Sequence, residues 1–202
     1  FILYFMDFNN LFPHYSEQFI SIMIIHLFAV ISPGPDFLVV TKQSFKYGRT
    51  SAVFTSLGIS FGILFHIFYC LVGIGYILSI NENIFNIFKI IGGLYLCYIG
   101  SKSILSTKKH KTYSLSSISN KSISKSFFLG FITNVFNPKA TLFFLSLFTL
   151  IIDVDTPLII QVFYGFWMSI ITGLWFCLVS FFFTSDFSRI FISSYATLID
   201  KI

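Results

Sequence analysis

Long apolar stretches alternate with short polar ones along this chain. Crossing the hydrocarbon core of a bilayer takes about 20 predominantly apolar residues in a helix. Five stretches reach that length: Glu17–Ile31 resuming as Phe37–Phe45, then Thr50–Ser79, Ile84–Leu105, Ser126–Ile152 and Pro157–Thr184. Two of them are interrupted. Ser32-Pro33-Gly34-Pro35-Asp36 divides the first, and Asn134-Val135-Phe136-Asn137-Pro138-Lys139 divides the fourth. Proline has no backbone N–H and its ring crowds the preceding turn, so each motif predicts a break or kink. A break at membrane depth frees polar backbone groups, which are tolerated only against protein or a water-filled cavity. A pair of breaks at corresponding places in two halves is a sequence pointer to a transporter substrate site.

The pattern predicts an all-α polytopic membrane protein with five transmembrane helices. Composition agrees: 55% of residues are hydrophobic and 10% charged, against about 25% charged in soluble domains. The net charge of +5 does not point to nucleic acid, because the lysines fall between apolar spans. Lys42, Lys46 and Arg49 follow the first span, Lys102–Lys125 carries six lysines, and Arg189 and Lys201 follow the fifth. The intervening turns carry Glu82, or Asp153 and Asp155. Positive residues favour the cytoplasmic side, which places the N-terminus outside. Phe1–Met6 lacks the basic start of a signal peptide, so the first span reads as a retained helix.

The segments divide as a first repeat (1–105), a Lys/Ser-rich cytoplasmic linker (106–125) and a second repeat (126–202). Three spans per half would make the repeats oppositely oriented, as in many secondary transporters. The second half then lacks its last helix. Cys70, Cys97 and Cys177 lie in apolar segments without a C-x-x-C pair, so neither a metal site nor a disulfide framework is expected. No cofactor motif is present.

Asp36 is the carboxylate nearest membrane depth, and an ionisable group there is a functional candidate by default. It could bind a substrate ammonium, carry a proton, or merely cap the resuming helix. Asn134 and Asn137 could satisfy groups freed by Pro138. Lys139 needs a partner, either Asp36 or a substrate carboxylate, unless it snorkels to the membrane face. Gly34 would allow close backbone approach, and N–H groups after each break could hold a carboxylate. The breaks together could therefore hold an amino-acid zwitterion. His26 and His66 are candidate proton relays or packing residues. Gly58 and Gly62, with Gly92, Gly93 and Gly100, form small faces suited to helix packing or a homodimer contact.

The run His26-Leu27-Phe28-Ala29-Val30-Ile31-Ser32-Pro33-Gly34-Pro35-Asp36-Phe37 resembles the LysE/RhtB family of amino-acid exporters, its threonine-efflux branch above all. Leu57-Gly58-Ile59, Gly92-Gly93-Leu94-Tyr95-Leu96-Cys97 with Gly100, Gly130–Asn134, Asn137–Ala140 and the tail Leu198-Ile199-Asp200 extend the resemblance. It implies a six-span inner-membrane exporter of small neutral amino acids, threonine- or homoserine-like, driven by proton antiport, with homodimers expected. The chain departs from the family pattern in lacking the sixth span. It also has Ile171-Thr172-Gly173-Leu174, rather than an acidic residue, before Trp175-Phe176. Two alternatives stand beside this reading: a truncated, transport-inactive remnant, or a membrane thiol-electron carrier, which would need paired cysteines near the breaks.

Overall fold

The structure is a computed structural model that describes residues 8–80, 83, 86–87, 90–91, 93–94, 97–98, 101, 122–153 and 155–185. All regular structure among them is helical: α1 (Phe8–Ile31), α2 (Pro35–Ile80), α3 (Ile123–Val135), α4 (Pro138–Leu150) and α5 (Leu158–Thr184). The positions described between 83 and 101 are also helical. Gly92, Gly100, residues 102–121 of the polar stretch and the tail after Ser185 lie outside the described residues.

Both predicted breaks are present. Pro33 pushes Ser32 out of helical geometry, and α1 ends at Ile31 before α2 opens on Pro35. Proline suits a first helical position because its missing N–H would have had no partner there. Pro138 plays the same part for α4, where Asn137 is the N-cap and accepts a 3.0 Å hydrogen bond from the Lys139 amide. Helices α3 and α4 meet at 55°.

A third interruption falls between the first and second predicted spans, in the polar stretch with Lys42, Lys46 and Arg49. It is a single residue: Gly48 has non-helical backbone (φ 78°, ψ −175°), so α2 is two helices joined at a kink there. That φ is left-handed backbone open to glycine and strained for residues with a Cβ.

Among the described residues, two helical segments, Pro35–Gly73 and Leu158–Thr184, are long and apolar enough to cross a membrane, and the bent pair α3–α4 makes a third when taken as one span. Tyr15–Ile31 is apolar but shorter. The radial distribution is that of a protein dissolved in lipid. Phe28, Phe136 and Ile159 are each more than 70% exposed, while His66, Asn134, Ser44, Thr55 and Ser180 are fully buried. This is a polytopic membrane protein.

Helix α2 is the spine, packed most extensively on α3 and α5. Its crossing with α3 is a backbone contact. A Cβ on Gly58 would collide with the Phe127 carbonyl, and one on Gly130 with the Thr55 carbonyl. Small residues permit such approach. Hydroxyls then bridge the helices. Ser51 bonds Ser126 at 2.8 Å, Ser56 bonds Ser180 at 3.1 Å and Ser60 bonds Ser169 at 3.0 Å. Two apolar clusters complete the core. One gathers Ile22, Ile67, Phe144, Leu147, Tyr164 and Met168; the other gathers Val40, Ile59, Phe176 and Val179.

Candidate functional site

Each break frees backbone groups by a countable amount. In a continuous helix, N–H groups four residues on would cover the carbonyls of Ala29, Ile31 and Asn134. Pro33, Pro35 and Pro138 remove those three donors. The structure fills two of the vacated places with side chains. Lys139 donates through Nζ to the Ala29 carbonyl at 2.9 Å and also to the Ser32 carbonyl. His66 donates through Nε2 to the Asn134 carbonyl at 2.9 Å, which the Asn137 amide shares at 2.9 Å.

Asp36 completes the exchange. Its Oδ2 accepts from Asn134 Nδ2 and from Asn137 Nδ2, both at 2.9 Å and both buried. The first break thus sends a carboxylate to the amides of the second, and the second sends an ammonium to the carbonyls of the first. The helix dipoles explain the direction of this swap. A carboxylate is favoured at the start of α2. An ammonium is disfavoured at the start of α4 but favoured at the carbonyl end of α1, which Lys139 reaches. The Lys139 charge also acts on Asp36 through space.

Gly34 makes room for this arrangement. A Cβ there would stand 3.1 Å from Lys139 Cδ, so the glycine admits the lysine stem. The sequence had suggested that it admits a ligand to the backbone.

Between the breaks lies a cavity of about 50 Å³, lined by Ser32, Gly34, Asp36, Asn134, Asn137 and Lys139. A water needs about 10–15 Å³ measured in this way, so several fit. Ile63, Phe143 and Phe144 wall one side, Phe176 another, and His26 and Thr172 also reach it. Asp36 Oδ1 is buried in this setting without a partner among the described residues. Pro33, Pro35 and Pro138 are solvent- or lipid-exposed and shape the backbone without lining the cavity.

The two histidines separate. His26 lines the cavity and bonds Thr172 Oγ1 through Nε2 at 3.1 Å. His66 stands behind Asn134, with Nδ1 2.9 Å from the Tyr69 hydroxyl. Gly58, Gly62 and His66 all face α3: Phe127 lies over Gly58, and the Asn134 side chain lies over Gly62. Among the described residues, Gly93 has only Leu150 nearby, 3.8 Å from where its Cβ would be. Thr172 entered the sequence reading only as one of four positions where the resembled family has an acidic residue, and Phe143 and Phe144 were not singled out. A single hydroxyl in an apolar helix is a weak signal until the fold turns it toward a cavity. Cys70 is buried, Cys97 exposed and Cys177 half-buried; all three are free thiols, and none lines the cavity.

Comparison with known proteins bears on this arrangement. The family model for the LysE type translocator matches residues 27–202, which includes both breaks. The chain belongs to this family. LysE type translocators are transporters, not enzymes. Among relatives, a threonine efflux protein of Salmonella typhi is 32% identical over 136 residues, and one of Escherichia coli K12 is 30% identical over 136 residues. Each alignment covers 66% of this chain and 66% of the relative, a little under two thirds of its length. An uncharacterized membrane protein of Haemophilus influenzae is 26% identical over 186 residues, covering 90% of this chain and 88% of that protein. No solved structure matches.

Proposed function

We propose that this LysE type translocator exports a small neutral amino acid, threonine- or homoserine-like, across the bacterial inner membrane by proton antiport. The observation that carries the reading is Asp36 Oδ1, a buried carboxylate oxygen without a described partner at a cavity between two helix breaks. A substrate ammonium donates to that oxygen. The substrate carboxylate faces Lys139 and the positive ends of α2 and α4, where helix N-termini favour an anion. A proton on Asp36 removes the charge that holds the ammonium. Proton and substrate therefore compete for one carboxylate, and that competition is what exchange requires.

The relatives named as threonine efflux proteins support the substrate class. In this reading the broken α1–α2 and α3–α4 segments belong to two inverted repeats, 1–105 and 126–202, joined by the linker 106–125. The N-terminus lies outside, six spans make the family's unit, and pairing into homodimers covers apolar surface. His66 holds the second break in shape through its bond to the Asn134 carbonyl, and with His26 it is the proton-relay candidate of this reading.

The test is efflux of preloaded labelled threonine from cells without their own exporters, with membrane expression of every protein checked. The unaltered chain exports, and Asp36→Asn and Lys139→Met do not. Undiminished export by both variants sinks the zwitterion site. Export that persists unchanged after collapse of the proton gradient sinks antiport.

A further inference from the structure

His26 is 1% exposed and lies among apolar rings, with Phe143 centred at 6.1 Å, Trp167 at 5.8 Å and Phe144 at 6.5 Å. An imidazole in such surroundings needs partners for both nitrogens, since an unmade hydrogen bond in a buried site is costly. It has one. Nε2 bonds Thr172 Oγ1, and Nδ1 has no partner among the described residues. With the Thr172 hydroxyl donating to Nε2, the ring proton of a neutral imidazole sits on Nδ1. His26 then carries an unused N–H donor, and the residue lines the cavity that Asp36 and Lys139 also line.

Lys139 grips α1 at the Ala29 carbonyl, three residues beyond His26 and about 4.5 Å further along the helix axis. A ligand whose ammonium and carboxylate sit at the breaks therefore shares its cavity with His26. The remaining wall there is Phe143, Phe144 and Ile63, which give an aliphatic group packing but no polar contact.

We infer that His26, oriented by Thr172, is the specificity residue of this site and selects substrates whose side chain carries a hydrogen-bonding oxygen on its first or second carbon. Nδ1–H donates to that oxygen. A purely aliphatic side chain of the same size leaves the donor unpaired. A site built to bond a substrate hydroxyl rejects the analogue lacking it more strongly than an apolar pocket rejects a missing methylene. This inference rests on the exporter reading above, because it needs the substrate's charged ends at the breaks.

The experiment measures, in the same cells, the ratio of threonine efflux to 2-aminobutyrate efflux, the two differing by the hydroxyl alone. The unaltered protein favours threonine, and His26→Phe lowers the ratio about tenfold, near the worth of one buried neutral hydrogen bond. His26→Asn, whose amide nitrogen stands near the Nδ1 position, keeps most of the preference. Thr172→Val, which removes the group that orients the ring, loses part of it. A ratio near one in the unaltered protein overturns the inference, and so does a ratio unmoved by both His26→Phe and Thr172→Val. If His26→Phe fails to reach the membrane, the Asn and Val variants decide by the same ratio. Export of neither amino acid by the unaltered protein overturns the exporter reading itself, a different outcome from export without preference.

Discussion

Replacing Asp36 separates two things the residue does at once: it braces the breaks, and in the proposed mechanism it receives the ammonium. The brace has a calculable size. Asp36 Oδ2 accepts two buried 2.9 Å hydrogen bonds, from Asn134 and Asn137. Hydrogen bonds between membrane helices average about 0.6 kcal/mol and reach about 1.7. Two of them give about 1–3 kcal/mol, and an ionised acceptor favours the upper half of that range. Asp36→Leu loses the whole amount. Asp36→Asn retains an oxygen that can accept both bonds and loses about half. Stability should therefore fall in the order Asp, Asn, Leu, while export is lost equally in both variants.

The assay is denaturant titration in mixed micelles, run as a double-mutant cycle with Asn134→Ala. The cycle isolates one bond, and its coupling energy should be about 0.6–1.7 kcal/mol. A coupling near zero, or an Asp36→Leu protein as stable as the unaltered one, would refute the brace. Stability graded as expected together with normal export would refute the ammonium site and leave the brace standing.

Lys139→Met strips the Ala29 and Ser32 carbonyls of their donor and should destabilise by about 1–3 kcal/mol, with Lys139→Arg losing less; equal midpoints for all three in the same titration would contradict the capping role. Gly58→Ala and Gly130→Ala each place a methyl against a backbone carbonyl that cannot move aside, whereas Gly73→Ala meets nothing within 4 Å among the described residues. Membrane yield and monodispersity should drop sharply for the first two and stay level for the third, and three equal yields would count against the backbone crossing. His66→Phe removes the donor to the Asn134 carbonyl and should cost about 1–3 kcal/mol while His66→Gln recovers part; a phenylalanine variant at full stability would show that the Asn137 amide suffices alone.

The breaks were legible because proline's missing N–H is a property of one residue and needs no tertiary knowledge. Spans such as Pro157–Thr184 were legible for a similar reason: length and apolarity are local, and α5 falls within a residue of it. The boundary at Lys42–Arg49 was legible from charge, and the structure narrows it to one residue, Gly48, whose left-handed φ breaks the helix between the first two predicted spans. Lys139 shows the limit. Its chemistry named a carboxylate partner, while the fold also offered it two carbonyls 107 and 110 residues away. Residue type says that a buried ammonium must be met; only the packing of α1 against α4 says by what.

The reciprocity of the capping follows from that same constraint. A broken helix at membrane depth presents unmet carbonyls at the end of one piece and unmet amides at the start of the next, and water is scarce there. Two such breaks placed face to face can satisfy each other only if one supplies donors and the other acceptors across the gap. Asp36 and Lys139 are the minimal charged pair that does so in both directions, helped by two asparagines and a histidine. A zwitterion has the same two ends. In the proposed binding mode they meet the same pair from the cavity side, the ammonium at Asp36 Oδ1 and the carboxylate at Lys139. The residues that brace the empty protein are then the residues a bound amino acid would engage, so binding would be coupled to the hold of one break on the other.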